Sequence, residues 1–72
     1  KVLYDYSRLI SRIGEVFESQ AAFGVAMGWP PATTIRKLSN ELQWKSAEIE
    51  KAISLLNISP ADCSSYFFKL KA

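Results

Sequence analysis

The tetrapeptide Gly28-Trp29-Pro30-Pro31 constrains this chain more than any other stretch. Each proline lacks an amide donor and biases the residue before it away from helical geometry, and glycine takes the left-handed conformation that ends helices. A helix arriving from the N-terminal side therefore stops at Gly28, and Pro31 suits the first position of a new one. With only 72 residues, the break falls inside one small domain, residues 1–72, because independent domains usually run to about 100 residues or more.

The flanking segments read as helices. Tyr6, Leu9, Ile10, Ile13, Val16 and Phe17 recur at three- and four-residue spacing, which predicts an amphipathic helix capped by Asp5. Gly14 within it predicts a close approach by a neighbouring helix. Ser19 is suited to cap a second helix that begins at Gln20 and ends at Gly28. A third starts at Pro31 with Ile35 and Leu38 as its inward pair, and a fourth spans about Ser46 to Leu56, stopping at Asn57. Ser59-Pro60-Ala61-Asp62 predicts a capped single turn. Tyr66, Phe68 and Leu70 alternate with Phe67, Lys69 and Lys71, which predicts an extended tail. The expected fold is all-α, a small bundle of four to five helices with an extended C-terminal tail.

Composition removes whole classes of function. At 49% hydrophobic and 22% charged residues the chain is neither disordered nor fibrous. It has no His and one Cys, Cys63, so an internal disulfide, a Cys/His zinc site and a Ser-His or Cys-His catalytic pair are all excluded. The seven carboxylates show no catalytic pairing, and neither enzyme activity nor a cofactor or metal is expected. The absence of a disulfide fits a reducing compartment, which points to the cytoplasm. No apolar run approaches the roughly 18 residues a bilayer span needs, no signal segment opens the chain, and Lys1 implies that an initiator Met is missing. The formal net charge of +2 decides nothing as a total. By segment it is zero through Glu18, +2 over residues 19–40, −2 over residues 41–62 and +2 in the tail.

The register of residues 19–29 is more specific. Gln20, Phe23, Gly24, Met27 and Gly28 occupy the first, fourth, fifth, eighth and ninth positions of a pattern that resembles the helix-turn-helix of the phage Cro/CI-type repressor family. A small fifth residue lets two helices cross closely, the apolar pair seats the first of them, and the glycine makes the turn. Asp5 through Ile10, Gly28 through Asn40, Trp44, Glu48-Ile49, Lys51-Ala52-Ile53, Leu55-Leu56 and Tyr66-Phe67-Phe68 resemble a narrower group, the small Cro-like or repressor-modulating proteins of temperate phages of Gram-positive bacteria, which includes an antirepressor. The resemblance implies a lambda-repressor-like helix-turn-helix over about residues 20–39.

It also implies two functional readings. In the first, a transcriptional regulator of the lysis-lysogeny switch places its third helix in the major groove of operator DNA. Gln20 would then bond a phosphate or brace that helix, Thr33 and Thr34 would touch base edges or thymine methyls, and Arg36 would reach guanine or phosphate. Lys37, Asn40 and Lys45 would hold phosphates. Pro30, Pro31 and Ala32 depart from this scheme, since they put no side-chain hydrogen-bonding group where reading begins. The apolar position six residues beyond Gly28 is Thr34, unless a turn longer by one residue brings Ile35 into its place. In the second reading the protein binds a phage CI-type repressor as an antirepressor. Glu41, Glu48 and Glu50 would then meet a basic surface, with Trp29, Tyr66 and Phe67 as anchors. A homodimer through the tail or the fourth helix is left open by both.

Overall fold

The computed structural model describes residues 3–71; Lys1, Val2 and Ala72 lie outside it, and with them the reading of Lys1. The elements in order are α1 (Ser7–Phe17), α2 (Gln20–Met27), α3 (Pro31–Leu38), α4 (Ser46–Leu55), a 3-10 turn (Pro60–Asp62) and α5 (Cys63–Phe67). The described chain is all-helical apart from one antiparallel bridge between Tyr4 and Leu70, and measures 28 × 26 × 21 Å.

Local chemistry sets most boundaries. The cap position of α1 is Tyr6 rather than the expected Asp5, which stands one residue earlier and whose Oδ1 accepts from the Ser7 amide at 2.9 Å and the Ser7 hydroxyl at 2.6 Å. Ser19 Oγ accepts from the Ala22 amide and so satisfies one orphan donor of α2. Gly28, at φ 82°, ends α2, and Trp29 N–H turns back to the Gly24 carbonyl at 2.8 Å. Pro31 opens α3. Lysine has no acceptor with which to cap α4, so Glu48 supplies the reverse half of the capping box, its Oε1 accepting from the Lys45 amide at 2.8 Å.

Leu9 and Ile13 of α1, Phe23 and Met27 of α2, Leu38, Ala52, Leu56, Ile58 and Phe67 form the core with Tyr6. Trp44 plugs the bundle from the loop before α4, its ring 5.0 Å from Phe67 and 5.1 Å from Trp29, centre to centre, and its Nε1 donating to the Lys37 carbonyl at 2.9 Å. α2 packs on both α1 and α3, and a Cβ on Gly24 would overlap the Thr34 hydroxyl, so the absent side chain is what allows α3 to seat.

Four further expectations are corrected. Gly14 is exposed, and nothing lies within 4 Å of where its Cβ would be, so no helix approaches there. Val16 is 41% exposed, at the margin of the apolar face of α1. The inward pair of α3 is Thr34 with Leu38, whereas Ile35 is 61% exposed; the turn is not lengthened by a residue. The tail is helical through Phe67, because Cys63, Tyr66 and Phe67 share one helical face that closes on α1, and only Lys69–Lys71 run extended.

Candidate recognition surface

α3 presents little of what was expected of it. Thr34 is 2% exposed, its Oγ1 donating to the Pro30 carbonyl at 3.4 Å, so it belongs to the α2–α3 contact and touches no base edge. Lys37 is 6% exposed; its Nζ donates to Glu48 Oε1 and to the Gln43 carbonyl, both at 2.8 Å, and lies 5.7 Å from the Trp29 ring centre. A lysine so enclosed holds the loop after α3 to the start of α4 and is not available to a phosphate. Asn40, at φ 69°, uses its carboxamide as a strand would, accepting from Tyr4 N–H and donating to Tyr4 C=O, each at 2.9 Å. It too is committed internally.

The remaining expected DNA contacts, Gln20, Thr33, Arg36 and Lys45, lie wholly or partly at the surface. Gln20 is exposed at the first position of α2 and borders a shallow cleft with Ala21, Pro31, Thr34 and Ile35. Thr33 is half-buried, Arg36 is exposed with its Nε 3.6 Å from Glu41, and the Lys45 side chain is exposed. Around them the N-terminal half of α3 shows Pro31, Ala32 and, one turn on, Ile35 to solvent, and α2 shows Val25, 78% exposed.

The expected protein contacts divide likewise. Glu41 and Glu50 are exposed, but Glu48 is held by Lys37 and the Lys45 amide. Burial opposes its charge, yet those two hydrogen bonds and the neighbouring lysines win and hold its carboxyl below the usual range. Trp29 is half-buried against Phe23 and Trp44. Tyr66 is half-buried beneath the Arg8 guanidinium, 4.5 Å above its ring. Phe67, expected at the surface, is 1% exposed, while Phe68 takes the outward place at 47%.

Phe68 borders a groove of about 340 Å³ that sequence reasoning missed, lined chiefly by Tyr4, Leu42, Gln43, Trp44, Ile49 and Phe68. With Leu42 38% exposed and Leu3 45% exposed nearby in sequence to Tyr4, apolar surface gathers around the N- and C-terminal segments. The one signal that could have found it is the i, i+3, i+4 spacing of Cys63, Tyr66 and Phe67, which turns Phe67 inward and Phe68 outward. No cluster of three or more metal-ligating side chains occurs among the described residues.

The sequence pattern of the family described as "Protein of unknown function (DUF739)" matches residues 2–70. Among solved structures, the chain is similar to the modulator of repression (MOR) of the temperate bacteriophage TP901-1 from Lactococcus lactis, determined in solution. The identity is 42%, the TM-score 0.81, and the match covers 90% of this chain and 88% of that one. No curated protein matches.

Proposed function

This chain belongs to the DUF739 family, and from that premise we propose that it is a phage modulator of repression that acts on a CI-type repressor by protein contact. The observation that carries this reading is the internal commitment of Thr34, Lys37 and Asn40. A helix-turn-helix reader needs polar side chains at the start of its second helix, and here that face is Pro31, Ala32 and Ile35. An apolar face suits a protein interface centre, where charged groups are depleted and aromatic or aliphatic anchors carry the energy. The Gln20-to-Gly28 register supports descent from the Cro/CI helix-turn-helix scaffold, with the scaffold turned from DNA to protein. Exposed Glu41 and Glu50 would steer it to the basic DNA-reading side of a repressor. Such a role requires neither catalysis nor a cofactor, and belongs to the bacterial cytoplasm; no helix among the described residues is long and apolar enough to cross a membrane.

The test is complex formation with the repressor encoded beside this protein, followed by size-exclusion chromatography and calorimetry. Expected is a stable complex of defined stoichiometry, weakened by Ile35→Asp. Absence of a complex at tens of micromolar of each protein would remove the reading.

A further inference from the structure

The two extended segments near the chain ends form a short ribbon with one closed edge and one open edge. Asp5 N–H donates to the Lys69 carbonyl at 2.7 Å and Lys71 N–H to the Leu3 carbonyl at 3.0 Å, with Tyr4 opposite Leu70. The backbone groups of Tyr4 and Leu70 therefore point away from each other, to the two outer edges. Asn40 closes the Tyr4 edge by taking both its N–H and its C=O. Neither backbone group of Leu70 has a hydrogen-bond partner among the described residues, and Leu70 is 67% exposed.

A second copy is a poor occupant for this edge. A two-fold axis through Leu70 would satisfy both bonds but set Lys69 of each copy opposite Lys71 of the other, two like-charge pairs on one face. Edge lysines are a known guard against such pairing. The same two charges suit a strand bearing acids. Lys69 is only loosely held, its Nζ 3.9 Å from Asp5 with 61% of the side chain exposed, and Lys71 is exposed.

We infer that the Leu70 edge is a docking site for an extended segment of another protein carrying an apolar residue flanked on both sides by acids. The segment pairs antiparallel, its apolar residue exchanging both backbone hydrogen bonds with Leu70 and its acids facing Lys69 and Lys71. The site lies outside α3 and stands whether or not the partner is a repressor.

The test uses the whole isotopically labelled chain and a blocked seven-residue peptide whose centre is Glu-Val-Glu. Expected are saturable amide shifts confined to residues 3–5 and 68–71, slowed exchange of the Leu70 amide, and affinity that falls with salt. Methylating the central valine nitrogen should abolish binding, and Lys71→Glu should weaken it about twofold to fivefold, the scale of a cross-strand charge pair. A peptide with lysines in place of the glutamates should not bind. Failure of the acidic peptide to bind, equal binding of the lysine or methylated peptide, or concentration-dependent dimerisation abolished by Leu70→Asp would each overturn the assignment.

Discussion

Lys37 brings a positive charge to a site only 6% exposed, and it is tolerable there because its ammonium is met by Glu48, the Gln43 carbonyl and the face of Trp29. Removing one partner of such a pair is costlier than removing both. Lys37→Ala should destabilise the fold by about 3 kcal/mol, the lower end for breaking a buried pair because Glu48 retains 20% exposure, whereas Lys37→Met with Glu48→Leu should recover most of that in urea titrations. The pair also sets an acid limit. Glu48 has a lowered folded-state pKa, so its contribution is complete above its ordinary value of 4.5 and is lost as pH falls through the folded value. Asp5, lowered mainly by the Ser7 hydroxyl and amide, acts in the same direction. The melting temperature should therefore fall on acidification, and Glu48→Gln should flatten that dependence. Gly24 is the second critical residue: Gly24→Ala should cost about 1–3 kcal/mol by pushing its Cβ into Thr34, and Thr34→Ala in the same chain should relieve part of it.

Among the elements, those marked by backbone chemistry were legible in the sequence. Ser19, Gly28, Pro31, Asn57 and the Ser59-Pro60 turn all punctuate the chain where they were expected to, since caps and left-handed residues act locally. What the sequence hid depends on contacts made across the fold. Two-residue alternation in the tail described α5 wrongly because five helical residues are too few to establish a period, and burial of Phe67 on α1 decides the conformation. Lysine and asparagine on α3 and the turn after it look like surface groups until Glu48 and Tyr4 arrive from 11 and 36 residues away. Asn40 carries a prediction at this scale. Asn40→Gly keeps the positive φ but loses both bonds to Tyr4, about 1 kcal/mol each, and should speed amide exchange at Asp5 and Lys71 while leaving α1 and α2 protected.

For the molecule as a whole, the segment charges acquire meaning once they are placed. Of the two positive charges over residues 19–40, Lys37 is enclosed against Glu48, while Arg36 stands at the surface 3.6 Å from Glu41. Outside, α2 and α3 show Val25, Pro31, Ala32 and Ile35 beside the Arg36–Glu41 pair, with Lys45, Glu50 and Lys51 exposed further along, and the apolar part of this surface is the proposed protein contact. The most direct test is fluorescence anisotropy of labelled phage operator DNA at low salt, with this protein alone and with the neighbouring repressor. Alone, it should show no preference for operator over scrambled duplex; added to the repressor, it should alter operator occupancy at stoichiometric ratios. Saturable operator-specific binding by this protein alone, with repressor occupancy left unchanged, would contradict modulation through protein contact.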